Sequence, residues 1–239
     1  MDCLKNYERV AVIYPYMMRT IRYDKWANYL YRLVKLYIGE NDTILELGAG
    51  NGMLAEQFRN YFPFIIISDI SFEMLRQSAG KDIKKVCCDM TAIPFKKKFD
   101  LIYSTFDTVN YLSSKKKLLS LFNEIKRVLS EKGIFTFDVS LEPNSLKHIK
   151  EPFRKGKYDE ISFVQKSSYN PKSRIHKNIF LMEFRDEIYT ETHKQKIYPF
   201  AVYFELLEKA GLNVTECYEA FTFKDGNAGC ERVQFVVRN

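Results

Sequence analysis

Glu46, Gly48, Gly50 and Gly52 have residue types and a spacing that suit the binding of a nucleotide cofactor. The apolar run at residues 44–47 is typical of a buried parallel strand, and the apolar spacing after Gly52 is typical of a helix. Glycine accepts positive φ and lets a ligand approach the backbone closely. The turn also presents the first amides of a helix, with their partial positive charge. Strand, glycine turn and helix together predict a cofactor site at the carboxyl end of a strand.

The third glycine of a dinucleotide-binding motif is missing. A G-x-G-x-x-G motif that starts at Gly48 needs glycine at position 53, which is Met53. Instead, Glu46 stands two residues before Gly48, and this arrangement resembles motif I of the class I S-adenosyl-L-methionine (SAM) methyltransferases. The resemblance implies SAM as the cofactor, S-adenosyl-L-homocysteine as the product, and Glu46, Gly48, Ala49 and Gly50 as cofactor contacts. A structural glycine turn in another α/β protein is the alternative.

Two acidic residues follow the next two predicted strands. The strand after the glycine turn and its helix ends at Asp69, about twenty residues after that turn. An acid at this place can accept hydrogen bonds from ribose hydroxyls. Asp69 and its neighbour Ile70 are therefore predicted to bind the cofactor. In the methyltransferase family, an acid after the following strand accepts from the adenine amino group, and the resemblance places Asp89 and Met90 there. For Asp89, a loop acid that caps a turn is the alternative.

The fourth predicted strand and the loop after it, residues 99–112, resemble the family's FDLI strand and its D-S/T-x-N-Y-L loop, which borders the methyl group and the acceptor. The resemblance implies two cofactor contacts, one catalytic candidate and two substrate contacts: Thr105 and Phe106, then Asp107, then Asn110 and Tyr111. The chain contains neither the N/D-P-P-Y/F motif of adenine-N6 enzymes nor the Pro-Cys nucleophile of cytosine-C5 enzymes.

Residues 1–40 are mostly helical by pattern, with Trp26 among the apolar positions. They resemble the Tyr-Asp-x-x-Met … Asp-Tyr-x-x-Trp lead-in of a bacterial small-molecule-type methyltransferase subgroup. The resemblance implies that the lead-in folds over the cofactor and brings Tyr14 and Tyr23 to its methionine end. Pro15 departs from the aspartate that is usual there. A packing helix with surface tyrosines is the alternative.

Residues 191–211 resemble the E-x-H-x-x-x-x-Y … L-L-x-x-A-G-F segment of sugar-amine and related small-molecule methyltransferases. The resemblance implies that His193 faces the acceptor as a general base or an orienting group, and that Tyr198 contacts the substrate. The alternative is a histidine bonded to a carboxylate such as Glu191.

Strands that alternate with amphipathic helices predict an α/β fold, a doubly wound, mostly parallel seven-stranded sheet of the Rossmann-like methyltransferase type. The helix after the fourth strand is predicted to end near Gly133, where glycine suits a C-cap. From residue 140 the pattern changes to charged segments of period two, which predict a small antiparallel lid after the fifth strand. The predicted SAM-binding core comprises residues 1–139 and 198–239, and residues 140–197 form the lid and substrate subdomain.

The composition is that of an ordinary globular protein. The chain has 239 residues, a formal net charge of +7, 46% hydrophobic and 28% charged residues, and no apolar run that could span a bilayer. Residues 1–5 lack a secretory pattern, and five cysteines without C-x-x-C spacing suggest neither a metal site nor disulfides. We therefore expect a cytoplasmic protein without a membrane partner or a bound metal. The sequence leaves the oligomeric state unknown.

The sequence thus predicts an enzyme (EC 2.1.1.-) that moves a methyl group from SAM to N or O of a small-molecule acceptor by in-line displacement. An RNA methyltransferase is one alternative, but lysine clusters at 96–98 and 115–117 lack the interleaved aromatics of a base-stacking face. A SAM-binding protein without transferase activity is another. A nicotinamide dehydrogenase is a poor third, because position 53 is not glycine.

Overall fold

A computed structural model describes residue 7 and residues 9–78 and 82–239. Within these residues, eleven strands form two sheets. The strands are β1 (Ile44–Leu47), β2 (Ile65–Asp69), β3 (Lys84–Cys87), β4 (Phe99–Ser104), β5 (Leu129–Ser140), β6 (Phe153–Tyr158), β7 (Ile161–Asn170), β8 (Ile175–Phe184), β9 (Glu187–Lys196), β10 (Asn213–Glu219) and β11 (Arg232–Arg238). The helices are α1 (Val10–Met17), α2 (Tyr23–Val34), α3 (Met53–Phe58), α4 (Phe72–Arg76), α5 (Lys115–Val128), α6 (Glu142–His148) and α7 (Phe200–Lys209), with a 3-10 turn at Thr108–Tyr111.

The larger sheet has seven strands in the order β10-β11-β5-β4-β1-β2-β3. Strands β1 to β5 pair in parallel, and β11 runs antiparallel between β5 and β10. The chain proceeds outward from β1 in one direction and from β4 in the other, so the strand order reverses between β1 and β4. In such sheets, ligands bind beyond the carboxyl ends of the strands at this switch point. The predicted α/β fold with a mostly parallel seven-stranded sheet is confirmed.

Helices cover both faces of this sheet. Phe122 of α5 packs on Phe137 of β5 on one face, with their ring centroids 5.8 Å apart, and Phe58 of α3 packs on Tyr103 of β4 on the other, at 5.2 Å. All four side chains are fully buried, and burial of each apolar side chain stabilises the fold by about 1.5–3 kcal/mol. This packing fixes Tyr103 on the same face as α3, where its hydroxyl reaches the site described below.

The smaller sheet, β6 to β9, is antiparallel and lies in the chain between β5 and α7, as predicted. We call it the lid. Its apolar side chains Phe163, Phe180 and Met182 form a separate cluster with Val10, Ile13 and Met17 of α1, so α1 packs against the lid. The division of the chain at residues 140 and 197 stays a prediction.

Two details differ from the sequence expectations. Helix α5 ends at Val128 rather than near Gly133, because Leu129 already has extended backbone angles and pairs with Phe99 of β4. Gly133 is not among the glycines with positive φ, so it is not a C-cap. The sequence pattern also did not predict helix α6 or the mostly exposed strand β6.

In the described part of the chain, no helix is long and apolar enough to cross a membrane. Cys3 lies outside the described residues, as does the region before residue 7.

Candidate active site

Gly48 and Gly50 build the turn between β1 and α3. Their φ angles are +67° and +57°, in the left-handed region that side chains other than glycine rarely adopt. A Cβ atom at Gly48 would lie 2.1 Å from Cγ2 of Thr108, so the loop after β4 can pack on the turn only because position 48 has no side chain. The Gly50 amide donates to Oδ2 of Asp69 at 2.8 Å, which ties the turn to the end of β2.

This turn borders a first cavity at the carboxyl ends of the parallel strands. All the predicted cofactor residues except Thr105 line it: Tyr14, Tyr23, Glu46, Gly48, Ala49, Gly50, Asp69, Ile70, Asp89, Met90 and Phe106. The structure thus brings together residues from α1, α2 and the ends of β1 to β4. Their contact with a cofactor stays a prediction.

Glu46 is a buried carboxyl in this cavity. It is 2% exposed, and its Oε2 accepts a hydrogen bond from the Tyr103 hydroxyl at 3.0 Å. Burial, with a smaller contribution from the charge of Asp69, raises the pKa of Glu46 to about 8, although the Tyr103 hydrogen bond opposes the shift. Among the described residues, no cationic side chain forms an ion pair with it. A cationic ligand group placed beside Glu46 would favour its ionised form, so the cavity suits a sulfonium or an ammonium.

Asp69 and Asp89 are positioned by the backbone around them. Asp69 accepts from the amides of Gly50 and Ser71, both at 2.8 Å. Burial raises the pKa of Asp69, and these amides oppose the shift. Asp89 accepts from the amide and the hydroxyl of Thr91 through Oδ1 alone, which leaves Oδ2 for a ligand. Two carboxylates with fixed orientations at neighbouring strand ends can accept hydrogen bonds from sugar hydroxyls and a base amino group.

A second cavity lies between α1, the loop after β4 and the lid. It shares the side chains of Tyr7, Tyr14, Phe106 and Tyr111 with the first cavity, so these four aromatic residues form the wall between the two. Phe106 has a φ of 57°, a backbone conformation that is uncommon outside glycine and clusters at functional sites. Two adjoining cavities could hold a donor and an acceptor at the same time.

A hydrogen-bonded chain of four side chains runs along this wall into the lid. Tyr7 and Tyr111 join through their hydroxyls at 2.8 Å, Tyr111 reaches Nδ1 of His193 at 3.1 Å, and Nε2 of His193 meets Oε1 of Glu191 at 2.5 Å. His193 and Glu191 are 2% and 1% exposed. With the ring proton on Nε2 facing the carboxylate, Nδ1 accepts a hydrogen bond from Tyr111. The structure therefore contains the hydrogen bond between His193 and Glu191 that the sequence analysis gave as the alternative. Tyr111 connects His193 to the wall between the cavities.

Glu191 also holds the lead-in segment. Its Oε2 accepts from the amides of Arg9 and Val10 at 2.9 and 3.0 Å, and its Oε1 accepts from the Tyr7 amide. Burial alone would raise the pKa of Glu191, but the hydrogen bonds from His193 and these amides outweigh it and lower the pKa. An ionised carboxylate at the start of α1 also complements the helix dipole.

Asp107 lines the second cavity and forms an ion pair with Arg232. Its Oδ2 lies 3.4 Å from Nη2 of Arg232 and accepts from the Ser140 hydroxyl at 2.7 Å. Arg232 also pairs with buried Asp138. Burial alone would lower the pKa of Arg232, but Asp107 and Asp138 raise it, so the guanidinium remains charged. Asp107 is therefore held by a charge partner and a hydroxyl at the cavity, where it can orient an acceptor.

Three predicted contacts line neither of the two cavities, and their roles stay predictions. Thr105 is 2% exposed and packed behind the loop. Asn110 is fully buried, and its amide group bonds both the carbonyl and the amide of Ser140, at 3.2 and 3.0 Å. The Tyr198 hydroxyl donates to the Leu112 carbonyl at 2.7 Å. Asn110 thus holds the loop after β4 against β5 and the end of β9, and Tyr198 holds its end at Leu112.

Sequence reasoning missed Tyr7 and Arg232. Tyr7 lines both cavities, yet it precedes the first predicted helix and belongs to no motif. Arg232 lines the second cavity from the final strand. It pairs with Ser140 in the register of β11 and β5, and the ion pair with Asp138, two residues before Ser140, appears only in the folded sheet.

The comparisons with known proteins agree with this architecture. Residues 44–133 match a family profile described as a methyltransferase domain. The chain is 28% identical over 244 residues to "Putative methyltransferase YqeM" from Bacillus subtilis (strain 168), with 96% of this chain and 95% of that protein covered.

Solved structures share the fold over nearly the whole chain. An S-adenosylmethionine-dependent methyltransferase from Clostridium acetobutylicum ATCC 824 matches with a TM-score of 0.81 and 22% identity, over 98% of this chain and 99% of that one. The sugar N-methyltransferase KedS8 from Streptoalloteichus sp ATCC 53650 matches with a TM-score of 0.74 and 15% identity, over 94% and 91%. The methyltransferase domain that matches residues 44–133 therefore lies inside a fold that solved SAM-dependent methyltransferases share over nearly the whole chain.

Proposed function

We propose that the enzyme binds SAM in the first cavity and transfers its methyl group to a nitrogen or oxygen of a small molecule in the second cavity. The observation that carries this proposal is the wall of Tyr7, Tyr14, Phe106 and Tyr111, which both cavities share. In-line displacement needs donor and acceptor on opposite sides of the transferred methyl, held at near-attack distance. Positioning of this kind supplies about 7–11 kcal/mol of a barrier.

The residues around the first cavity fit SAM. Glu46 would lie near the cationic groups, Asp69 would accept from the ribose, and Asp89 with Met90 would meet the adenine. The glycine turn adds backbone amides that no side chain blocks, since a Cβ at Gly48 would collide with the loop after β4. SAM brings an already activated methyl group, so the protein has to align and desolvate the reactants.

The second cavity fits a small polar acceptor. Its volume is about 320 Å³, at the lower end of the range for small-molecule sites. The described residues that line it include Asp107, Gln165, Asn178 and Gln195, which can bond hydroxyl and amine groups. A sugar N-methyltransferase shares the fold, which supports an acceptor of similar size and polarity.

Tyr111 and His193 would handle a proton that the acceptor loses. Both ring nitrogens of His193 are engaged, so the proton would pass to the Tyr111 oxygen while the Tyr111 proton passes to Nδ1 of His193. Glu191 would stabilise the resulting imidazolium. Proton transfer of this kind contributes about 10²–10⁴ in rate, and it is required only for an acceptor that reacts as its conjugate base.

The test is methyl transfer from SAM carrying a labelled methyl group to two separate pools, small metabolites and total RNA. Label in the metabolite pool, with stoichiometric S-adenosyl-L-homocysteine, is the expected result, and Asp69→Ala should abolish it. Label in RNA alone would make the enzyme an RNA methyltransferase. SAM binding with no product in either pool would leave a SAM-binding protein without transferase activity. The lysine clusters do not favour RNA, because Lys115 pairs with Glu205 at 2.9 Å and Lys117 borders the first cavity.

A further inference from the structure

One face of the lid presents polar side chains to the second cavity. In the antiparallel register, Asn178 of β8 lies between Ser167 of β7 and His193 of β9, and His176 lies opposite Gln195. Alternate residues of a strand share a face, so these side chains stand on the face that carries His193. Four of them, Asn178, His193, His176 and Gln195, line the second cavity. The lid therefore extends the acceptor cavity away from the wall shared with the first cavity.

The charged side chains that line the second cavity, among the described residues, include Asp107, Arg232 and Arg154. Asp107 is the acidic residue among the described side chains that line it, and its charge is matched by Arg232 at 3.4 Å. Arg154 of β6 also lines the cavity and, within the described residues, forms no ion pair; its Nη2 donates to the Met17 carbonyl at 2.7 Å. A full positive charge thus borders the cavity without a carboxylate to neutralise it.

Two of the polar side chains here, Asn178 and His176, can donate a hydrogen bond to a ligand. Oδ1 of Asn178 accepts from the Gln165 amide at 3.1 Å and from the Ser167 hydroxyl at 2.6 Å, which leaves the Asn178 amino group for a ligand. His176 is 5% exposed, and its Nδ1 is buried with no hydrogen-bond partner in the described part of the chain. Buried polar atoms are nearly always paired, so an unpaired imidazole nitrogen beside a cavity indicates a missing partner.

A second imidazole strengthens the same preference. The ring of His148, at the end of α6, lies 6.0 Å from the ring of His176, and both border the cavity. Burial, and then the neighbouring His148, lower the pKa of His176, so a second positive charge is unfavourable there without an anion. An anionic group between Arg154 and the two rings would remove this repulsion and satisfy Nδ1.

Resting on the proposed function, we propose that the methyl acceptor carries an anionic group, a carboxylate or a phosphate, and that Arg154, His176, His148 and Asn178 bind it at the lid end of the second cavity. The reacting nitrogen or oxygen then lies at the other end, beside Tyr111. This subsite restricts the acceptor class to small anionic metabolites and excludes neutral sugars and simple amines.

Binding of the anion is measured on the protein saturated with S-adenosyl-L-homocysteine, from the NMR signals of the histidine ring nitrogens. Inorganic phosphate and acetate are titrated separately, with glycerol as the neutral control. We expect saturable shifts of His176 and His148 with one of the two anions and none with glycerol; the anion that binds identifies the group. The absence of a saturable shift with either anion would overturn the proposal.

Two variants and two matched controls locate the binding. Asn178→Asp keeps the oxygen that Gln165 and Ser167 bond and replaces the free amino group by a negative charge, and Arg154→Gln removes the positive charge. Each should weaken anion binding about tenfold or more, because a charge-assisted hydrogen bond is lost or a like charge is introduced. Lys177→Gln and Lys155→Gln make the same changes in net charge on the opposite face of β8 and β6, and should leave affinity unchanged. Equal weakening in the controls would mean general surface electrostatics and would refute the subsite.

The labelled product of the metabolite assay gives an independent readout. Retention of the methylated product on an anion-exchange column supports the proposal, and loss of retention after alkaline phosphatase identifies a phosphate. A methylated product that is neutral or cationic would overturn the anionic subsite while the methyl-transfer function stands. All four variants should keep the wild-type thermal shift with SAM, so failure of the cofactor site would be recognised separately.

Discussion

Replacement of Glu191 by alanine tests the contact that joins the lead-in segment, the lid and His193. The carboxylate accepts hydrogen bonds from the amides of Tyr7, Arg9 and Val10 and from His193, and it is almost fully buried. A single hydrogen bond to a charged group contributes about 1.5–3 kcal/mol. The amides at the start of α1 can turn to water once the carboxylate is gone, so the four bonds do not add. The bonds from His193 and from the Val10 amide are buried, so these two set the expected loss at about 3–5 kcal/mol.

We therefore expect Glu191→Ala to lower the free energy of unfolding by about 3–5 kcal/mol. For a chain of this size, about 2–4 °C per kcal/mol gives a fall in Tm of about 6–20 °C. Differential scanning calorimetry measures it, with Glu187→Ala, an exposed acid on the same strand β9, as the control. A Tm for Glu191→Ala within the error of the Glu187→Ala value would refute the assignment of Glu191 as the anchor of the lead-in.

The pH dependence of stability gives a second check on Glu191. Because its pKa is lowered in the folded protein, its stabilising contribution is complete above the unfolded value of about 4.3. That contribution is lost as the pH falls through the folded pKa. The stability difference between the wild type and Glu191→Gln should therefore shrink below about pH 4. A difference that stays constant down to acid pH would mean that the ionised form is not the one that binds the amides.

Four further substitutions test the cofactor cavity, the shared wall and the buried side chain of Asn110. Gly48→Ala should abolish SAM binding in calorimetric titration, since its Cβ would lie 2.1 Å from Thr108, whereas Gly39→Ala, with its nearest contact at 3.8 Å, should bind normally. In the free protein Glu46 has a pKa of about 8, so affinity for the cationic cofactor should rise with pH up to about 8, by as much as tenfold per unit, and Glu46→Gln should flatten the profile. Tyr111→Phe should lower methyl transfer about 10²–10⁴-fold with unchanged SAM affinity if the acceptor loses its proton before transfer, and equal turnover would remove the relay from the mechanism. Asn110→Ala should lower the free energy of unfolding by about 2–4 kcal/mol in denaturant melts, because it leaves several buried backbone groups unpaired; an unchanged stability would restore a substrate role for this side chain.

The sequence was most informative where function depends on the chain order of strands and turns. Positive φ at Gly48 and Gly50 is required locally, and Asp69 and Asp89 follow strands whose carboxyl ends a parallel sheet brings to one edge. The position of Glu46 beside this turn could be predicted in the same way. Its raised pKa could not, because it depends on burial and on contacts with Tyr103 of β4 and Asp69 of β2, which only the folded sheet brings to Glu46.

Long-range contacts explain what the local sequence did not predict. Asn110 stands in a segment that resembles a substrate loop, yet its side chain bonds the end of β5, and no local pattern distinguishes these two uses of a buried amide. Tyr7 acquires its place from the bond between its amide and Glu191, far along the chain. Gly133 suggested the end of helix α5, but Leu129 already pairs with Phe99 and begins strand β5. In each case a tertiary contact decided between structures that the local sequence permits.

A crystal structure of the enzyme with S-adenosyl-L-homocysteine bound tests the central claim, that the first cavity holds the methyl donor against the shared aromatic wall. We predict that the ribose hydroxyls lie within hydrogen-bond distance of Asp69, the adenine amino group meets Asp89, and the sulfur faces Tyr14 and Tyr111. The second cavity should then open directly onto the sulfur. A product molecule bound elsewhere, or one whose sulfur points away from Tyr111 and the second cavity, would contradict this account of methyl transfer.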